Sequence, residues 1–110
     1  MNHITNLTEL NETLDKNDFT ILKFSTNWCV PCKRIAPVFE NMSKDNKYSL
    51  IYFAEVDMDE SPDICKEYII DGLPTFILFK KNEEISRFSG GNEIKLRNLV
   101  DGCLVYELNY

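Results

Sequence analysis

Apolar positions along the chain change their spacing several times, and each change marks a predicted element. In "NLTELNETLDKND" Leu10 and Leu14 stand four apart, on one face of a short helix. Asn6 precedes that helix as a capping residue, and Glu9 follows three residues later, the spacing of a capping box. "FTILKFS" is almost continuously apolar, as a strand covered on both faces should be. In "NWCVPCKRIAPVFENMSKDNK" the residues Ile35, Val38, Phe39 and Met42 share a helical face, and Pro37 predicts a kink in it. "LIYFAEVDMD" is a second apolar strand that ends in acids. "SPDICKEYII" reads as a short helix, with Ser61 as its N-cap and Pro62 in its first position. "DGLPTFILF" is a turn and a third strand, "KKNE" a hairpin turn, and "EISRFSG" the partner strand, broken off by Gly90 and Gly91. "NEIKLRNLVDGCLVYEL" closes the chain as a helix with Leu96, Leu99, Val100, Cys103 and Leu104 inward, its pattern weakened by Gly102. A short strand is expected near Ile4. Helix, strand, helix, strand, helix, strand, strand, helix describes an α/β fold, a mixed sheet covered on both faces.

Composition narrows what this fold does. The 110 residues suit a single domain, 1–110, and an apolar share of 44% suits a globular core. A formal charge of −6 without a basic cluster argues against nucleic-acid binding. No apolar run reaches the roughly 18 residues of a membrane span, and "MNHITNLTELNETL" lacks the basic and apolar regions of a secretory signal. The sequons at Asn6, Asn11 and Asn41 therefore read as chance patterns in an Asn-rich chain. The four cysteines, Cys29, Cys32, Cys65 and Cys103, could form two structural disulfides. Ample core residues and the lack of a signal favour a reducing compartment, the cytoplasm, where a close pair is catalytic or metal-binding.

Cys29 and Cys32 lie between an apolar strand and the start of a long helix. Zinc usually takes four ligands, and the chain offers this one pair, two isolated cysteines and His3, so no metal is expected. Redox chemistry fits better, because unpaired N–H groups and the dipole at a helix N-terminus stabilise a thiolate. Cys29 is then the more exposed attacker and Cys32, one turn on, the resolving thiol. Pro31 suits a helix start, and Trp28 is either a lip over the pair or a packed core residue. A cis peptide between Leu73 and Pro74 would leave backbone groups free near the cysteines for an extended substrate; a trans proline starting a strand is the plainer reading. Cys65 and Cys103 read as small hydrophobes, with regulatory oxidation the alternative. Asp57, Asp59 and Glu60 read as a solvated strand end, without the spacing of an EF-hand loop.

"FSTNWCVPCKRIAPVFENMS", "YFAEVDMDE" and "DGLPTFILFKKNEEISRFSGGN", with the spacing between them, resemble the thioredoxin family from about Leu7 to Leu104. The resemblance implies a central sheet of about five strands flanked by four helices, and a protein-disulfide reductase with Cys29 as nucleophile, Cys32 as resolving thiol and a Cys29–Cys32 disulfide when oxidised. It implies a substrate surface of Trp28, Val30, Pro31, Leu73, Pro74 as a cis proline, and Gly90, with Pro37 as the helix kink and Lys33 as the basic residue after the pair. It also implies a monomer that binds no cofactor and draws electrons from an NADPH-dependent flavoprotein reductase.

Two positions depart from the family pattern. Val30 replaces a usual glycine, which bears on loop strain and potential. Lys23 stands where the family usually has a buried aspartate that moves the proton of the resolving cysteine. Lys23 shares strand parity with Ile21 and Ser25, and the resemblance places Glu55 close to it. The expectation is a partly buried Lys23–Glu55 pair, because a lone buried charge is unfavourable, with Glu55 as a proton relay through water and the ammonium favouring a thiolate at Cys32. A lysine snorkelling to the strand end, catalytically silent, is the alternative. Other functional classes are a secretory oxidase or isomerase domain and a non-enzymatic binding module, against which the intact cysteine pair speaks.

Overall fold

A computed structural model describes residues 1–108, with side chains through residue 105; the end of the expected 1–110 span lies outside the described residues. Its strands are β1 (Asn2–His3), β2 (Phe19–Ser25), β3 (Ile51–Asp57), β4 (Thr75–Lys80) and β5 (Glu83–Ser89). Its helices are α1 (Leu7–Lys16), α2 (Val30–Ser43), α3 (Pro62–Tyr68) and α4 (Glu93–Leu108), with a 3₁₀ turn at Asn46–Tyr48. The sheet order is β1-β3-β2-β4-β5. β2 is central, parallel to β3 on one side and antiparallel to β4 on the other. Its apolar sequence follows from that position, since helices cover both of its faces.

The period of two divides the core. Phe19 and Ile21 on β2, Phe53 on β3, and Phe76 and Leu78 on β4 point to one face. There they meet Ile35, Phe39 and Met42 of α2 and Leu96, Val100 and Cys103 of α4. Leu22 and Phe24, Ala54 and Val56, and Ile77 and Phe79 point to the other face, against Leu10 and Leu14 of α1 and Ile64 of α3. The five-stranded mixed sheet with four flanking helices matches the architecture expected from the sequence.

Local details differ from the sequence reading. Asn6 Oδ1 accepts the Glu9 N–H at 2.8 Å, but Glu9 turns its carboxylate to Thr5 Oγ1, so half of the capping box forms. Ser61 precedes α3 without capping it: the residue is fully buried, and its hydroxyl donates to the Thr5 carbonyl at 3.2 Å. α3 stops at Tyr68, before the predicted Ile69 and Ile70, because Ile69 turns left-handed at φ 43°. Pro37 stands inside α2 without ending it.

Arg87 of β5 secures this unusual helix end. Its guanidinium donates to the Tyr68 and Ile69 carbonyls at 3.0 and 3.1 Å, satisfying acceptors that α3 leaves open. It also grips both oxygens of Glu84 at 2.7 Å. That bonding holds the Glu84 carboxyl below its ordinary range. A carboxylate with a lowered folded value adds stability at neutral pH that is lost as acid titrates it through that value. Arg87→Ala should therefore lower stability by about 1 kcal/mol at neutral pH. In chemical denaturation at stepped pH, the gap between variant and parent should narrow as acid titrates Glu84, leaving the part that comes from the two carbonyl bonds.

Candidate active site

β2 delivers the chain to the site. Past Ser25, four residues, Thr26 to Cys29, lead into α2, and the reversal from parallel to antiparallel neighbours opens a crevice at this end of the sheet. The Met58 N–H donates to the Ser25 carbonyl at 3.0 Å and ties the end of β3 to the same place.

Cys29 is the N-cap of α2. Its sulfur accepts the Cys32 N–H at 3.2 Å, and its carbonyl accepts the Lys33 N–H, also at 3.2 Å. Cys29 and Cys32 are joined as a disulfide. Both are buried in that state, Cys29 at 6% and Cys32 at 3% exposure. Once reduced, Cys29 keeps a helix N-terminus directed at its sulfur, which favours the thiolate required for exchange.

An apolar lip surrounds the pair. Trp28 is 68% exposed, not packed in the core, and its indole donates to Asp59 Oδ2 at 3.1 Å. Val30 is 56% exposed, Pro31 and Lys33 are exposed, and Leu73 is half-buried. The Leu73–Pro74 peptide is cis and Pro74 is buried. Continuing the β2–β4 register one step sets Pro74 opposite Ser25. Gly90, at φ 114°, donates its N–H to the Pro74 carbonyl at 2.8 Å. At Gly91 an added Cβ would stand 3.3 Å from the Pro31 carbonyl oxygen, so the β5–α4 connection closes on the start of α2. Sheet end, helix start and distal loop thus converge around the disulfide.

Behind the pair, Lys23, Glu55, Cys32, Asp57, Lys33 and Glu60 are among the residues lining a cleft of about 320 Å³. Lys23 and Glu55 are register partners. The Lys23 side chain is 6% exposed, and its Nζ lies 3.0 Å from Glu55 Oε2 and 5.6 Å from the Phe39 ring centroid. The lysine therefore does not snorkel to solvent. The buried ammonium has a direct counter-charge and an aromatic face, which together offset its desolvation.

The other two cysteines stand apart from this chemistry. Cys103 is fully buried between α4 and the sheet. Cys65 is half-buried; burial pushes its thiol up, and Asp63, Asp57 and Asp59 push it further. A thiol held protonated in this way is a poor nucleophile. Among the described residues, no group of three or more His, Cys, Asp or Glu side chains is arranged to hold a metal ion. No described helix is long and apolar enough to cross a membrane.

Sequence reasoning missed two contacts. Asp59 as the partner of Trp28 has no signal in local spacing. His3 was weighed as a metal ligand alone, yet its Nε2 lies 3.1 Å from Glu55 Oε1. The register places His3 opposite Glu55, but a strand of two residues offers no periodicity to reveal that pairing.

Comparison with known proteins agrees with this geometry. The thioredoxin family matches residues 2–102. Human thioredoxin is 38% identical over 100 residues, covering 89% of this chain and 93% of that protein. Thioredoxin-2 of Pyricularia oryzae is 34% identical over 100 residues, covering 91% of this chain but 57% of that longer protein. The structure of Plasmodium falciparum thioredoxin is similar with a TM-score of 0.88 at 31% identity, covering 93% of this chain and 98% of that one. A redox disulfide of the CxxC type at the head of α2 in this fold supports dithiol–disulfide exchange on proteins. The chain belongs to the thioredoxin family.

Proposed function

We propose that the chain is a monomeric, cytoplasmic reductant of protein disulfides, recharged by an NADPH-dependent flavoprotein reductase that itself binds the nucleotide. The observation that carries this reading is the Cys29–Cys32 disulfide at the N-cap of α2, rimmed by exposed Trp28 and Val30. The Cys29 thiolate attacks a substrate disulfide and forms a mixed disulfide. Cys32 then attacks Cys29 Sγ and releases the substrate thiol. Trp28, Val30, Pro31, Leu73, Pro74 and Gly90 form the surface on which an extended substrate segment lies.

In the second step Cys32 must lose its proton. Glu55 accepts it through water in the cleft, and the Lys23 ammonium stabilises the sulfur that remains. The pair thus takes over, with the carboxylate on β3 instead of β2, the task that the family gives to a buried aspartate.

Insulin-disulfide reduction with dithiothreitol, then with NADPH and a flavoprotein thioredoxin reductase, tests the reading. The protein should accelerate both reactions. Its couple should have a potential near the roughly −270 mV of thioredoxins, below the roughly −180 or −120 mV of isomerases and oxidases. A potential in the upper range, with no turnover from the reductase, would reassign it to disulfide formation. Failure in both assays would leave a binding module.

A further inference from the structure

His3, Glu55 and Lys23 form one row across the sheet. Backbone register pairs His3 with Glu55 and Glu55 with Lys23, so three titratable side chains stand side by side on neighbouring strands. Their exposure falls in order, from 67% for the His3 side chain to 19% for Glu55 and 6% for Lys23. Glu55 is held from both sides, its Oε1 by His3 Nε2 at 3.1 Å and its Oε2 by Lys23 Nζ at 3.0 Å. All three line the cleft that also receives Cys32. The row therefore runs from the resolving thiol's chamber to bulk water.

The imidazole is not needed to hold β1 in place. Backbone pairing with β3 does that, with the Ile4 N–H donating to the Glu55 carbonyl at 3.0 Å and Ile4 itself buried. Of the two groups that pin the carboxylate, the imidazole is the one with a second ring nitrogen, able to receive a proton on one side and pass one to water on the other. The other charged groups facing this cleft are Lys33 from α2, Asp57 from β3 and Glu60 beyond it.

We infer that His3 is a positioning residue for the reaction, the outer end of a proton path that leads from Cys32 through Glu55 to solvent. This rests on the reading of Lys23 and Glu55 given above. The Cys32 thiol yields its proton, through cleft water, to the Glu55 carboxylate. The Cys32 thiolate attacks Cys29 Sγ, a Cys29–Cys32 bond forms and the bond from Cys29 to the substrate sulfur breaks. The cysteine pair is oxidised by two electrons and the substrate disulfide, over both steps, is reduced by two. The departing substrate thiolate takes a proton from water, while Glu55 hands its own to His3, which discharges it to bulk.

Stopped-flow reaction of the reduced protein with an aromatic disulfide of the Ellman type separates the steps. The first release of aryl thiolate reports attack by Cys29, and the second reports resolution by Cys32. In His3→Gln the first phase should be unchanged and the second slowed about five-fold, less than the 10²-fold or more typical of removing a direct general base. The imidazole inflection in the pH profile of the second phase should vanish, and added imidazole should restore the rate. Slowing without rescue, with the inflection retained, would show a packing role and overturn the inference. An unchanged second phase in His3→Gln, while Glu55→Gln slows it, would remove His3 from the path and leave the Lys23–Glu55 reading intact. If Glu55→Gln also leaves the second phase unchanged, both readings fall.

Discussion

Cys32→Ser should turn the protein from a catalyst into a trap. Insulin-disulfide reduction should fall by at least about 10³-fold, the scale on which enzymes lose rate when a covalent participant is removed. Cys29 should still attack, because its place at the N-cap of α2 does not depend on the partner sulfur. The mixed disulfide then persists, with no thiol one helical turn away to resolve it. Non-reducing electrophoresis and mass spectrometry should find substrate linked through Cys29. Cys29→Ser should lose turnover as completely and accumulate no adduct. The contrast follows from geometry: Cys29 sits beside the exposed Trp28 and Val30, while Cys32 faces inward to the cleft containing Lys23. Adduct formation by Cys29→Ser, and none by Cys32→Ser, would reverse the two roles.

The second large effect concerns stability and is asymmetric. Glu55→Leu strands the Lys23 ammonium among Phe39 and the sheet, 6% exposed and without its counter-charge. Breaking a buried pair from this side should lower stability by about 3 kcal/mol. Lys23→Met removes the buried charge instead, and leaves Glu55 with partial solvent exposure and with His3 as a partner. That change should stay within about 1 kcal/mol of the parent, since a carboxylate that keeps water and a hydrogen-bond partner is not a stranded ion. The double variant Lys23→Met/Glu55→Leu should also come within about 1 kcal/mol, because apolar replacement of a whole buried pair is often neutral. Urea denaturation of the four proteins as a double-mutant cycle measures the coupling directly. Equal losses from the two single changes would mean that water reaches Lys23 in solution far better than its burial indicates.

Much of this architecture was legible because its causes are local. The apolar run of β2, the Leu10–Leu14 stripe of α1, and Ile35, Phe39 and Met42 on α2 are periodic patterns, and each found the core that its period demanded. Lys23 beside Glu55 was legible only through the family resemblance, which sets the two strands side by side; parity alone gave the face on which Lys23 lies. What escaped the sequence depends on distant partners. Ser61 has the chemistry of a cap, but burial against Thr5, 56 residues away, offers its hydroxyl a carbonyl instead. Arg87 has no local signal of its role, and only the packing of β5 near the end of α3 gives it two carbonyls to hold. The left-handed turn at Ile69 has no warning in its residue type, because β-branched side chains ordinarily avoid that conformation.

The margins of the sheet bear on how this molecule avoids its own kind. An unpaired strand is a template on which a second chain can add itself. On one side that margin is β1, only two residues long. On the other it is β5, whose surface carries Glu83, Glu84 and Arg87, and whose pairing with β4 slips by a bulge between Leu78 and Phe79. Shortness blunts one border, and charge with irregular twist blunts the other. Lateral growth into stacked sheets is thereby disfavoured, which leaves the ends of the strands, where the sulfurs are, as the part of the sheet not guarded in this way.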